Sequence, residues 1–135
     1  MRILYCSLAL LVCLSISSSA MMYNPFTELK RIAKENDMNN TMKTVHMIDY
    51  AIESTIEYEF YWYPRGISTT WRDKSGDCSD KAQIKVFMLN YLGIKSRTIH
   101  GYLEDGAKHD YYEVYYNNTW YNTEPDTKRV GVGVW

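Results

Sequence analysis

The chain has 135 residues, of which 46% are hydrophobic and 23% are charged, and fifteen Lys+Arg against sixteen Asp+Glu give a formal charge of -1. This length fits one globular domain, and the apolar content excludes a disordered chain. The near-neutral balance lacks the basic excess that binding to a phosphate backbone requires, so we expect no nucleic acid as a partner.

The N-terminus has the pattern of an export signal. Arg2 gives a positive start, the run from Ile3 to Ile16 carries no charge, and small residues at 18–20 supply a cleavage point. An uncleaved membrane anchor is the alternative, but a spanning helix needs about 20 apolar residues. We therefore expect residues 1–20 to be a signal peptide and residues 21–135 to be a single domain, secreted or extracytoplasmic, that has no membrane contact after cleavage.

Removal of residues 1–20 changes what the cysteines can do. Cys6 and Cys13 leave with the signal, so Cys78 is the one thiol of the mature chain and no internal disulfide can form. A lone cysteine in an exported protein is a packed structural residue, an intermolecular bridge or a nucleophile. Composition does not decide between these roles, so the neighbours of Cys78 become the relevant evidence.

Two helices are predicted in the first half of the mature chain. One is short and covers Phe26 to Lys34, behind Pro25. The other begins near Thr41, where apolar residues recur at steps of three and four and so form one helical face. That face consists of Val45, Ile48, Ile52 and Ile56. A Pro-Arg-Gly sequence at 64–66 ends this part, and Ile67 to Ser75 is predicted to be a loop or a fragment of strand.

The segment around Cys78 predicts the start of a third helix. Asp77 can serve as the N-cap, Asp80 lies three residues later, and Gly93 provides the stop. Apolar residues between them cover most of the helix circumference, so we expect the helix to be central and largely buried. Cys78 then lies in the first turn, at the positive end of the helix dipole.

After Gly93 the hydrophobic period changes to two, which is typical of strands. The predicted strands are Lys95 to Leu103, His109 to Tyr116, Thr119 to Thr123 and Arg129 to Trp135, with a tight turn at 117–118. Helices followed by an antiparallel meander give an α+β fold. A two-residue turn places His109 opposite Asp126 and Tyr111 opposite Glu124, so the imidazole and both carboxylates project to one side of the sheet.

A thiol, an imidazole and a carboxylate are the parts of a cysteine nucleophile site. Lowering the pKa of a thiol from about 8.5 to about 6 requires roughly 3.4 kcal/mol. A helix N-terminus supplies at best about 2 kcal/mol. An adjacent imidazolium must supply the rest, and a carboxylate behind that ring fixes its tautomer and stabilises its charge.

Several short motifs also follow one another between about residue 58 and residue 126. They are a G-x-C-x-x-x-A helix start at Gly76 to Ala82, a G-I-x-x-R step at Gly93 to Arg97, Gly101-Tyr102, His109, Glu113-Val114-Tyr115, Trp120 and Glu124-Pro125. Together they resemble the core of the transglutaminase-like superfamily. The resemblance implies a papain-like α+β fold and a catalytic Cys, His, Asp triad, which falls on Cys78, His109 and Glu124. The third member is usually Asp, so Asp126 is the alternative to Glu124.

The resemblance implies acyl transfer at an amide, through a thioester on Cys78 and without a metal or other cofactor. Resolution by water gives proteolysis, isopeptide cleavage or deamidation, and resolution by an amine gives a cross-link. The expected partner is a peptide or protein substrate, with cell-wall peptide as one candidate. The Cys78 backbone N–H is one expected oxyanion donor, and the side chain of Trp71 or Tyr63 is a candidate for a second.

Other assignments are possible from the sequence. One is a binding module that keeps the fold without activity, and another is a peptidoglycan-type cysteine peptidase. Zinc on Cys78, His100 and His109 is disfavoured, because no second close-spaced ligand pair is present. We expect His46 to be a surface or packing residue, His100 to be a hydrogen-bonded structural residue and Arg97 to anchor a carboxylate or carbonyl.

Overall fold

Helix α1, Thr41–Thr55, is the first element of the computed structural model, which describes residues 41–135. The predicted apolar face is confirmed, since Val45, Ile48, Ile52 and the following Ile56 are all buried. Val45, Ile48 and Ile52 repeat at helical spacing, so α1 buries one stripe and leaves the opposite face in solvent. The predicted signal peptide and the predicted helix from Phe26 to Lys34 lie outside the described residues.

A helix stands where a loop or strand fragment was predicted. After the short strand β1, Glu57–Tyr58, the chain forms helix α2, Ile67–Asp73, and then strand β2, Ser75–Gly76, which pairs with β1 in parallel. Helix α2 starts without a side-chain cap and buries only Thr70. The prediction for residues 67–75 was therefore wrong, because a helix held by its contact with the next helix has no apolar periodicity of its own.

Helix α3, Cys78–Tyr91, begins as the sequence predicts. The Asp77 side chain accepts from the Asp80 backbone N–H and the Asp80 side chain accepts from the Asp77 N–H, which completes a capping box. At the other end Gly93 has a φ of +84°, and the Ile94 N–H donates to the carbonyl of the last turn. The helix is less buried than predicted, since Phe87 remains 42% exposed.

Four antiparallel strands follow in the order β5-β4-β3-β6, and their bounds are β3 Ser96–Tyr102, β4 Lys108–Tyr116, β5 Thr119–Asn122 and β6 Lys128–Val132. The predicted hairpin is confirmed, with Tyr116 opposite Thr119 and both asparagines of the turn at positive φ, 49° and 61°. The predicted meander is wrong at its last step. Strand β6 does not pair with β5 but crosses to the opposite edge and pairs with β3.

The core lies between the helices and the sheet. Helices α1 and α3 pack together, and α3 packs on β3 and β4. Its side chains include Ile84, Met88, Leu89, Ile99, Tyr111, Tyr112 and Val114. This is the α+β, papain-like arrangement that the sequence predicts, with the Cys-bearing helix against the antiparallel sheet. Within residues 41–135, no helix has the length and apolarity needed to cross a bilayer.

Candidate active site

Cys78 is the first residue of α3, and its thiol is partly exposed. Its backbone N–H points out of the helix start, where the first turn leaves N–H groups without helical acceptors. The thiol opens on a cavity of about 370 Å³, whose lining includes Tyr58, Lys81, Leu103, His109 and Glu124. A nucleophile at the end of a helix and beside a cavity is accessible to a substrate carbonyl.

His109 lies near the start of β4, with its Nε2 atom 2.6 Å from Oε2 of Glu124. The β4–β5 ladder ends at Glu113 opposite Asn122, so Glu124 lies beyond the paired residues. Three bonds hold this end of the chain against the sheet. The Oγ1 and the backbone N–H of Thr123 donate to the Tyr112 carbonyl at 2.6 and 3.4 Å, and the Glu124 N–H donates to Oδ1 of Asn122 at 2.7 Å.

The predicted register is therefore only partly right. Residues 123–127 leave the ladder, so His109 is not paired with Asp126 and Tyr111 is not paired with Glu124. Glu124 reaches His109 from a turn instead of from a strand. Asp126 lies exposed in that turn, and Glu124 is the carboxylate that contacts the ring.

Cys78 is the second side chain that acts on the His109 ring, and both residues line the same cavity. The interaction with Cys78, followed by the bond to Glu124, raises the pKa of His109 from 6.5 to about 10, against the opposing effect of burial. Since Glu124 occupies Nε2, Nδ1 is the nitrogen available to the thiol. His109 thus bonds to Glu124 and shares a cavity with Cys78, which brings together the three residue types of a cysteine nucleophile site.

Neither aromatic residue predicted as a second oxyanion donor lines the Cys78 cavity. Tyr63 is 82% exposed, and the Trp71 ring packs under the Lys74 ammonium at 3.5 Å. Tyr58 lines the cavity instead, and burial, followed by the negative charges of Cys78 and Asp77, raises the pKa of its phenol. No local sequence pattern indicates this role for Tyr58, because Tyr58 reaches the site through the long-range pairing of β1 with β2.

A network of ion pairs next to the site joins α1 and α3. Lys81 Nζ lies 2.9 Å from Glu53, and Lys85 Nζ lies 2.6 Å from Glu53 and 2.8 Å from Asp49. The Tyr112 hydroxyl donates to Asp49 at 2.9 Å, and burial raises the pKa of that phenol. The network allows two lysines to be buried on α3, because each ammonium has a carboxylate partner.

A second cavity, of about 400 Å³, lies next to the network. The residues that line both cavities are His109, Glu124, Glu53, Lys85 and Tyr112. The His109–Glu124 pair therefore borders both cavities. The side chain of His109 is 21% exposed and that of Glu124 is 40% exposed, so water reaches this pair.

The remaining residues singled out by sequence behave as follows. His46 is exposed and lines the second cavity, in agreement with a surface role. Arg97 anchors Glu113 at 2.8 Å and lies over the Trp120 ring. His100 is a structural residue as expected, since its ring packs on Trp135, but the expected hydrogen bond is missing at Nδ1, which has no partner among residues 41–135. The same part of the chain contains no His, Cys, Asp and Glu group arranged to hold a metal.

The chain belongs to the transglutaminase-like superfamily, whose family model matches residues 28–125. This superfamily consists of cysteine-type enzymes and their relatives. No curated protein matches the chain in sequence.

Solved structures share the fold at low identity. A candidate cysteine protease from Cytophaga hutchinsonii has a TM-score of 0.64 and 17% identity, and the match covers 88% of this chain and 49% of that one. A protein named as a TGase has a TM-score of 0.53 and 15% identity, with 86% and 36% covered. A candidate protease from Parabacteroides distasonis has a TM-score of 0.55 and 16% identity, with 81% and 28% covered. The chain thus spans half or less of each of these structures.

Proposed function

We propose that the protein is a secreted cysteine enzyme that cleaves amide bonds of peptides or proteins, with Cys78, His109 and Glu124 as its catalytic triad. The observation that carries this proposal is the placement of His109, which contacts both Cys78 and Glu124 and has a pKa raised to about 10. A ring with this pKa is an imidazolium near neutral pH, and an imidazolium beside a thiol favours the thiolate.

The proposed reaction has two steps. The Cys78 thiolate attacks the amide carbonyl carbon, and the carbonyl oxygen becomes an oxyanion. His109 donates its proton to the departing amine as the C–N bond breaks, which leaves a thioester and a neutral imidazole. A water molecule then attacks the thioester carbonyl, gives its proton to His109 and releases the acid, which restores the thiolate and the imidazolium.

We assign two donors to the oxyanion. One is the Cys78 backbone N–H at the start of α3, and the other is the hydroxyl of Tyr58, a residue that is 61% exposed and lines the same cavity. Burial, followed by the negative charges of Cys78 and Asp77, raises the pKa of the Tyr58 phenol. A phenol is protonated near neutral pH and can donate a hydrogen bond to an oxyanion.

Hydrolysis is favoured over transfer to an amine because the site is open to water. His109 and Glu124 line the second cavity as well as the thiol cavity, and both side chains are partly exposed. A thioester formed beside such an opening meets water at a concentration far above that of any amine. Secretion is supported by the signal-like pattern of residues 1–20, and cell-wall peptide is therefore among the substrates to test.

The experiment is intact-mass analysis of a glutamine-containing peptide incubated with the purified protein and a labelled primary amine. Cys78→Ala is the matched control, because it removes one sulfur from a partly exposed position and leaves the fold intact. We expect a cleaved or deamidated peptide with the wild-type protein and no change with Cys78→Ala. Incorporation of the label would show that the thioester is resolved by an amine and not by water. Turnover retained by Cys78→Ala would overturn the proposed function.

A further inference from the structure

Ser79 and Asp110 connect the two elements that carry Cys78 and His109. Each follows a proposed triad member in the chain, Ser79 on α3 and Asp110 on β4. The Ser79 Oγ donates a hydrogen bond to Oδ2 of Asp110, and both residues are buried. The helix start and the strand are therefore joined by a direct bond beside the proposed nucleophile and base.

The carboxylate of Asp110 is in an energetically unfavourable position. Asp110 is 2% exposed, its Oδ1 has no hydrogen-bond partner among residues 41–135, and burial raises its pKa. Its cross-strand neighbour is His100, whose Nδ1 is also unpaired in that part of the chain. Replacing such a partly satisfied carboxylate by an apolar group is often neutral or stabilising. Stability alone therefore does not account for a carboxylate here.

The faces of β4 on which Asp110 and His109 lie suggest what the Asp110 carboxylate does. Successive residues of a strand point to opposite faces, so Asp110 and His109 lie on different sides of β4. The stacking of the His109 ring over the Tyr111 ring agrees with this alternation. Consecutive residues of α3, Cys78 and Ser79, thus interact with consecutive residues of β4 that point to opposite faces. Two such interactions restrict both the distance and the rotation of the helix start relative to the strand.

Asp110 also accepts a hydrogen bond from the chain after β6. The Trp135 N–H donates to Oδ2 of Asp110 at 3.3 Å, and its indole N–H donates to the Gly101 carbonyl at 3.3 Å. The Trp135 ring packs on His100 and lies under the Lys108 ammonium. These contacts hold the first residues of β4 from the β3 side, so Asp110 has a fixed position from which to hold Ser79.

We propose that Ser79 and Asp110 are positioning residues, which hold the Cys78 sulfur within hydrogen-bonding reach of His109. The proposal rests on the proposed function, since it assigns the pair to the reactive state of that thiol. Neither residue touches the reacting atoms. Their effect is transmitted through the backbones of α3 and β4.

The test measures the rate at which iodoacetamide alkylates Cys78, read by mass spectrometry on the tryptic peptide Ser75–Lys81, at about pH 6 and about pH 9.5. Ser79→Ala and Asp110→Ala remove the bond, whereas Ser79→Thr and Asp110→Asn keep a donor or an acceptor. Ser68→Ala is the control, because Ser68 is an exposed serine on α2. Thermal unfolding of every variant reports on the fold.

We expect Ser79→Ala and Asp110→Ala to lower the alkylation rate about tenfold at the lower pH, because misplacement by less than 1 Å weakens the Cys78–His109 contact. The rate at the higher pH should not change, since a thiol is ionised there without help. The conservative variants and Ser68→Ala should behave as the wild type. The double alanine variant should react no more slowly than Asp110→Ala, if the two residues act as one unit.

Three results would overturn the proposal. The first is a wild-type rate at the lower pH in both alanine variants, and the second is an equal loss at both pH values together with lower unfolding temperatures. The third is failure of both alanine variants to fold while the conservative variants behave as the wild type, which would make the pair purely structural. If the wild-type thiol itself reacts no faster than the isolated peptide at the lower pH, the proposed function fails as well.

Discussion

His109 is the residue on which the proposed chemistry depends, because it is the one that contacts both other members of the site. Its ring lies between the Cys78 thiol and the Glu124 carboxylate, and both contacts favour the charged form. The contact with Glu124 also fixes the ring orientation that presents the other nitrogen to the thiol. Glu124 is therefore proposed as the carboxylate of the triad. Its side chain is longer than that of the usual Asp and reaches His109 from the turn after β5.

The stability of the protein should depend on pH through this ring. The pKa of His109 is raised from 6.5 to about 10 on folding, so its contribution is fully present below pH 6.5 and is lost as the pH rises through about 10. Glu124→Gln removes one of the two partners. We expect the variant to be less stable than the wild type by about 1 kcal/mol near pH 6, and by progressively less toward pH 10. Urea unfolding at several pH values measures this difference.

Asp126→Asn is the matched control for this prediction, because Asp126 is a carboxylate in the same turn that lies exposed. It should reproduce the wild-type stability at every pH. The assignment of Glu124 would be contradicted if the two variants exchanged behaviour, with a pH-dependent loss in Asp126→Asn and none in Glu124→Gln.

Tyr58 is expected to act only when charge develops on the substrate oxygen. Tyr58→Phe keeps the ring in the Cys78 cavity but removes the hydroxyl, so kcat for amide turnover should fall about 100-fold with little change in KM. Steady-state kinetics on the peptide found by the mass assay measure both parameters. Tyr63→Phe, five residues further along the chain and 82% exposed, is the control and should leave both unchanged. An unchanged kcat in Tyr58→Phe would exclude this hydroxyl as an oxyanion donor.

At the scale of elements, the junction of β2 with α3 sets the position of Cys78. Gly76 is the last residue of β2, and a Cβ at this position would lie 2.8 Å from both Asp80 Cβ and Thr70 Cγ2. The close approach brings α2 and the first turn of α3 together. The requirement for glycine two residues before Cys78 is therefore one of space, which gives the G-x-C motif a structural reason.

Gly76→Ala should therefore affect both stability and reactivity. We expect a loss of about 1–3 kcal/mol from overpacking, together with slower alkylation of Cys78 near pH 6, because the first turn of α3 must move. Gly106→Ala is the control, since nothing lies within 4 Å of its Cβ position and its φ of +83° costs only about 1 kcal/mol of strain. Urea unfolding and peptide mass analysis measure the two effects. A wild-type rate of Cys78 alkylation in Gly76→Ala would show that the reactivity of Cys78 does not depend on the close packing at Gly76.

The elements that the sequence predicts correctly are those specified by local signals. Helix α3 has a capping box at one end and Gly93 at the other, and the β4–β5 hairpin has two asparagines suited to positive φ. Helix α2, the β1–β2 pair and the pairing of β6 with β3 were missed or misplaced. Each of these forms through contacts between distant parts of the chain, which leave no periodic pattern in the sequence.

At the scale of the whole molecule, the site lies where helices α1 and α3 meet the sheet. The motif order and the hairpin register predicted a site of Cys78, His109 and Glu124. The structure brings Glu124 to His109, but the pairing predicted beyond Asn122 was wrong. Tyr58 and the Ser79–Asp110 bond were not predicted. Their place depends on how β1, α3 and β4 pack together, and neither a serine nor an aspartate beside a motif residue marks such a bond in advance.

The most direct measurement is the rate of Cys78 alkylation near pH 6, compared between the folded protein, its His109→Gln variant and the isolated peptide Ser75–Lys81. A thiol already ionised at this pH reacts about tenfold faster than a free thiol of pKa about 8.5, because its larger thiolate fraction outweighs its lower nucleophilicity. We expect that enhancement in the wild type and its loss in His109→Gln. A wild-type rate equal to that of the peptide, or an enhancement that survives in His109→Gln, would show that the imidazole does not activate this sulfur.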